Sequence, residues 1–131
     1  MGVPAAKEGD HITAVDTHII LVPSPTGPIP TPLPHPFDGI INENLSSNVK
    51  IMGMFAATVG SVANNLPPHI PEGGGPFQDP PRNKGEIIVG STTVMINNKP
   101  AARNGDTAMT CNDPADLPVG TVIAIGTVMI G

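Results

Sequence analysis

Apolar residues fall in short alternating runs along this chain, and glycine and proline separate them. Residues 3–7 and 12–22 read as strand-like segments, and Ile19-Ile20-Leu21-Val22 is the densest apolar run of the N-terminal third. β character returns over residues 39–52, in Ile40-Ile41 and Val49-Lys50-Ile51. The runs from Ile87 to Ile96 and from Val122 to Ile130 each read as strand, glycine turn, strand, which predicts a hairpin. Asn97-Asn98-Lys99 suits a tight turn, because asparagine tolerates left-handed backbone angles. No stretch shows the 3.6-residue apolar period of an amphipathic helix. The pattern predicts an all-β chain of short strands.

Two stretches break the pattern. Residues 23–36 hold seven prolines, in Pro23-Ser24-Pro25-Thr26-Gly27-Pro28-Ile29-Pro30-Thr31-Pro32-Leu33-Pro34-His35-Pro36. Alternating proline cannot build a helix or a central strand. A stiff, polyproline-like strut is expected there, presenting His35 at a fixed place. Residues 64–84, with Pro67-Pro68, Gly73-Gly74-Gly75 and Pro80-Pro81, read as an irregular exposed loop.

A repeat underlies the runs. Pro4-Ala5-Ala6-Lys7-Glu8-Gly9-Asp10, Phe55-Ala56-Ala57-Thr58-Val59-Gly60-Ser61 and Pro100-Ala101-Ala102-Arg103-Asn104-Gly105-Asp106 share one form. It is [Pro/Phe]-Ala-Ala-x-x-Gly-[Asp/Ser], spaced 51 residues (4 to 55) and then 45 (55 to 100). A V-x-I stub precedes the second and third copies, at Val49-Lys50-Ile51 and Val94-Met95-Ile96. The first copy lacks one; Val128-Met129-Ile130 is left over at the other end. A circularly permuted threefold repeat is expected, with the two chain ends meeting at one strand pair.

Composition sharpens the picture. The chain has 131 residues, enough for one domain, taken as 1–131. It holds 17 Pro, 15 Gly, three Phe and neither Trp nor Tyr, so its core is thin and aliphatic. A small β protein with such a core often needs a staple, such as a metal. The formal charge of −5 with six Lys and Arg leaves no basic stripe for nucleic acid. One cysteine rules out an internal disulfide. Lys7, Glu8 and Asp10 interrupt any signal-peptide pattern, and no apolar run approaches the ~18 residues of a membrane helix.

Four histidines and Cys111 are the candidate ligands. His18 lies 14 residues after Pro4 and His69 lies 14 after Phe55, while Cys111 lies 11 after Pro100. Each copy thus supplies one nitrogen or sulfur ligand. His35 is held between two prolines, whereas His11 directly follows a Gly-Asp turn and reads as a surface residue. Zinc favours tetrahedral nitrogen and sulfur sets, so His18, His35, His69 and Cys111 are expected to bind it. Taken singly, a histidine beside prolines is a loop residue and a lone cysteine is a small buried apolar group; the repeat register is what joins them. Asp16 and Asp113, two residues from His18 and Cys111, are candidates to accept a ring N–H.

The literal Pro-Ala-Ala-Arg, its three copies, the β stubs and the His/Cys set resemble a PAAR-repeat protein, over nearly the whole chain. The resemblance implies the tip of a contractile injection machine, such as a type VI secretion system or a phage-tail-like particle. It implies a cone of three pseudo-repeats with zinc bound by three His and one Cys near the apex. The implied partner is a trimeric VgrG-like spike, capped by one copy per trimer. Effector cargo and transient contact with the target membrane are also implied, after assembly in the cytoplasm. The implied role is structural and not enzymatic. The competing reading is a small hydrolase, with Cys111 as nucleophile or with zinc held by three histidines and a water.

Overall fold

The computed structural model describes residues 2–131, and among these there is no helix. Twelve strands follow in order: β1 (Val3–Pro4), β2 (His11–Val22), β3 (Ile29–Glu43), β4 (Lys50–Ile51), β5 (Met54–Phe55), β6 (Val62–Asn65), β7 (Lys84–Ile87), β8 (Met95–Ile96), β9 (Lys99–Pro100), β10 (Thr107–Thr110), β11 (Leu117–Ile123) and β12 (Met129–Ile130). Six of them close an antiparallel barrel in the order β10-β11-β2-β3-β6-β7. The other six form three two-stranded ribbons, β1-β12, β4-β5 and β8-β9.

The threefold repeat is literal in the hydrogen bonds. The amide of Ala6 donates to the carbonyl of Ala102, Ala57 donates to Ala6, and Ala102 donates to Ala57, at 2.9–3.0 Å. These three bonds close a ring about the pseudo-axis. Only a small side chain fits there, and Ala6, Ala57 and Ala102 are fully buried. Outside the ring the preceding alanines donate to the stubs, Ala5 to Val128, Ala56 to Val49 and Ala101 to Val94. The turns that follow also match. The amides of Lys7, Thr58 and Arg103 donate to the side chains of Asp10, Ser61 and Asp106. Gly9, Gly60 and Gly105 take φ of +92°, +96° and +89°, a region that side-chain-bearing residues rarely enter. The Gly-[Asp/Ser] end of each copy is therefore a backbone requirement.

The chain ends meet as the repeat demands: Val3 pairs with Ile130 and Pro4 with Met129. The other two ribbons have the same register, Ile51 with Met54 and Ile96 with Lys99. Their two-residue turns, Met52-Gly53 and Asn97-Asn98, have positive φ at both positions, as a primed hairpin turn requires.

The core is as thin as the composition implies. Its main cluster joins Ile12, Phe37, Ile41, Ile87 and Val122 to six alanines and Cys111. Ile41, Ile87 and Val122 are threefold equivalents, each accepting the amide of the turn glycine and donating to the residue after it. A second cluster lies among the ribbons, where Ile51, Ile96 and Ile130 meet Ala5 and Ala56.

Two expectations are corrected. The runs 87–96 and 122–130 are not hairpins. β7 and β11 belong to the barrel, whereas β8 and β12 belong to separate ribbons. Gly90 marks the crossing: a Cβ there would lie 2.9 Å from the Ala101 carbonyl and from Pro100, so the glycine allows close backbone passage and not a turn. From Ile29 on, the proline stretch is a β strand and not a polyproline strut. β3 pairs with β2 over twelve residue pairs, from His11↔Ile40 to Val22↔Ile29. Pro30, Pro32, Pro34 and Pro36 share one parity, opposite Leu21, Ile19, Thr17 and Val15. The amides of Thr17, Ile19 and Leu21 point away from β3, to Asn112, Asp113 and Pro76. The outward positions of β3 are thus the prolines, which have no N–H to leave unpaired.

Candidate metal centre

β2 climbs from the alanine ring, so Asp16 and His18 stand about 20 Å beyond the turn at Asp10. β6 and β10 are its threefold equivalents. His69 follows β6 within the 66–83 segment, and Cys111 directly follows β10. β2 itself, and the segments that follow β6 and β10, deliver these side chains to the same end of the barrel. Ligand atoms of Asp16, His18, His69 and Cys111 all lie within 4.8 Å of one another.

The pairwise geometry is close. Cys111 Sγ is 3.7 Å from His18 Nε2 and 3.4 Å from Asp16 Oδ2. His69 Nε2 is 2.8 Å from Asp16 Oδ2. Thr110 Oγ1 donates to the other Asp16 oxygen. All four side chains are buried, Asp16 completely. A carboxylate, two imidazoles and a thiol without water around them are costly to keep together unless something positive offsets them.

Burial acts on the titration of both Cys111 and His18. Burial, and then the Asp16 carboxylate, push the Cys111 thiol up to about 11. Burial also lowers the His18 pKa, although Asp113 opposes this. His18 Nδ1 is fully buried and has no hydrogen-bond partner, with Asp113 Oδ2 3.5 Å away. Asp113 therefore stands where a carboxylate orients a ligating histidine. This donor set, with ligand atoms within 4.8 Å of one another, fits a transition-metal ion.

His35 joins the cluster only partly. Its ring lies 5.4 Å from that of His18 and 5.7 Å from that of His69, centre to centre. Its nitrogens are engaged elsewhere: Nδ1 is 2.9 Å from the Leu33 carbonyl, and Nε2 accepts the Glu72 amide at 3.2 Å. Asp16 stands among the ligand atoms instead, where the sequence suggested only a carboxylate behind them. The alternation of β2 was the available signal, since Asp16 and His18 necessarily share a face. His11 is exposed and pairs with Asp38 at 2.6 Å, away from the cluster.

The site is covered from outside. Residues 76–78 run along β2, with Leu21 donating to Pro76 and Gln78 to Ile19. Phe77 packs edge-on against His18 at 5.7 Å. Residues 64–84, expected as a plain exposed loop, thus contribute His69 and part of the wall.

No curated protein matches the chain. Residues 77–131 match the family model of the PAAR motif. That span holds the third copy, Cys111 and the closing β12 stub, and the structure repeats its alanine-ring unit twice more. Residues 77–131 thus carry the PAAR motif, and the two earlier copies are similar to it in form.

Proposed function

We propose that this protein is the structural tip of a contractile injection machine, seated on a trimeric VgrG-like spike at one copy per trimer. The PAAR motif supports an association with spike tips. The observation that carries the finer reading is the ring of Ala6, Ala57 and Ala102, because it gives one chain three equivalent faces. A single chain of this kind matches a homotrimer without being one. The ribbons form the end that meets the spike, and their free strand edges suit strand addition. Tapering beyond the barrel comes from the β2–β3 hairpin, which outruns its neighbours to Val22 and Ile29.

In this reading a zinc ion ties the narrow end together, where too few side chains fit for a core. His18, His69 and Cys111 hold it, and Asp16 or His35 takes the fourth place. The role is mechanical: to start penetration of the target envelope after assembly in the cytoplasm, with cargo effectors as passengers. A catalytic role for Cys111 is disfavoured, since a buried thiol with a raised pKa is a poor nucleophile. The test is to mix the purified chain with the isolated spike trimer and weigh the complex by light scattering. One chain per trimer is expected; three chains per trimer, or none, would overturn the capping reading.

A further inference from the structure

We infer that the metal reaches its site through one side of the cluster only, the cavity between residues 79–82 and 111–116. This rests on the metal reading above and deepens it. Two cavities flank the cluster. One, of about 320 Å³, is lined by His35 and His69 with Asp38, Glu72 and the apolar Leu66 and Ile70. The other, of about 180 Å³, is lined by His18 and Cys111 with Asp79, Arg82, Asp113 and Asp116.

The ligand atoms facing the first cavity are already engaged. His35 Nε2 accepts the Glu72 amide and His69 Nε2 holds Asp16. Asp38 is tied to His11. The second cavity opens on the thiol of Cys111, which contacts Asp16 at 3.4 Å, and on His18, whose buried Nδ1 lies 3.5 Å from Asp113. Three carboxylates and one guanidinium line it, so it attracts a divalent cation and offers oxygen ligands on the way in. Arg82 and Asp116 form an ion pair among these lining residues, with Arg82 the more exposed of the two. A cation arriving at Asp116 competes with Arg82 for that carboxylate, so the pair acts as a latch on the mouth. Asp113 then stands beside His18 at the inner end.

The same path serves entry and exit, so it can be tested on the folded, loaded protein. Zinc content of the purified chain is measured first; its absence would sink the metal reading itself. With metal present, zinc transfer to excess 4-(2-pyridylazo)resorcinol is followed by absorbance, and affinity by competition. The double substitution Asp79→Asn with Asp116→Asn is expected to slow release roughly tenfold with affinity unchanged, because carboxylates along the way ease passage in both directions. Arg82→Ala is expected to speed release. Glu72→Gln, on the opposite cavity, is expected to leave the rate alone. Unchanged release in the double variant, or slowed release in Glu72→Gln, would overturn the path. So would an affinity loss that accounts for the whole change in rate.

Discussion

The amide of Ala6 donates to the carbonyl of Ala102 at 2.9 Å, joining residues from opposite ends of the chain. Its two counterparts, Ala57 to Ala6 and Ala102 to Ala57, make the closure independent of where the chain starts. The second alanine of each copy is therefore fixed by space. Ala57→Val should crowd the axis and destabilise the protein by about 1–3 kcal/mol, the usual cost of overfilling a packed site. The exposed Thr26→Val on the β2–β3 hairpin tip should have no comparable effect. Urea unfolding of both variants checks this; equal midpoints would mean the ring yields easily.

That repeat was legible because it needs identical residues at identical steps. The alanine pairs, the glycines at positive φ and the V-x-I stubs each meet a steric or hydrogen-bonding demand that few residues satisfy. The pairing of Val3–Pro4 with Met129–Ile130 followed from counting stubs. The false hairpins at 87–96 and 122–130 arose because a glycine between two apolar runs marks a turn or a close crossing equally well. At 87–96 it is the contact of Gly90 with Pro100 and Ala101 that decides between them. The proline stretch misled for a related reason. Proline forbids a central strand, but it suits an edge whose outward amides would otherwise be bare. In the buried cluster, the meeting of His18, His69 and Cys111 is what repeat register suggested. Asp16 was not, because a carboxylate two residues from a ligand is equally at home behind the ligands or among them.

The first repeat differs from the others in the residue that precedes its stub. Ser46 and Ser91 accept the amides of Val49 and Val94 at 3.0 and 2.9 Å, capping the second and third stubs. The residue three before Val128 is Ile125, which is 78 % exposed. Ile125→Ser should rebuild the cap and remove an exposed apolar side chain, for a gain of about 0.5–1.5 kcal/mol. Differential scanning calorimetry reads the change; a lower melting temperature would show that Ile125 packs usefully where it stands.

Metal content separates the two candidates for the fourth ligand. Cys111→Ala, His18→Ala and His69→Ala should each lose bound zinc and much of the thermal stability, since structural zinc contributes on the order of 10 kcal/mol in small domains. His11→Ala should lose neither, given its exposed pairing with Asp38. If Asp16 is the fourth ligand, Asp16→Asn weakens binding strongly and His35→Ala little. If His35 is, its nitrogen must leave the Glu72 amide and the order reverses. Elemental analysis of protein purified without added metal, followed by chelator competition, gives the ranking.

The last prediction concerns the ribbon made from both chain ends. β12 supplies the missing partner of β1, and Ala5 donates to Val128 at 2.9 Å. Removing residues 127–131 should therefore open one of the three ribbons and leave Val3–Pro4 unpaired. The barrel does not depend on these residues, because its last strand ends at Ile123. Zinc binding should survive the deletion, since the cluster sits beyond the barrel on β2 and after β6 and β10. Binding to the spike trimer should fall sharply, because one of its three subunits would face no ribbon. Gln78→Lys, an exposed change near the metal end, should bind the trimer normally. Size-exclusion chromatography of each variant with the trimer, alongside its zinc content, reads both properties at once. A truncated chain that keeps its metal and still binds one per trimer would show that the spike needs only two ribbons. One that loses metal as well would show that the ring and the metal end fold as a single unit.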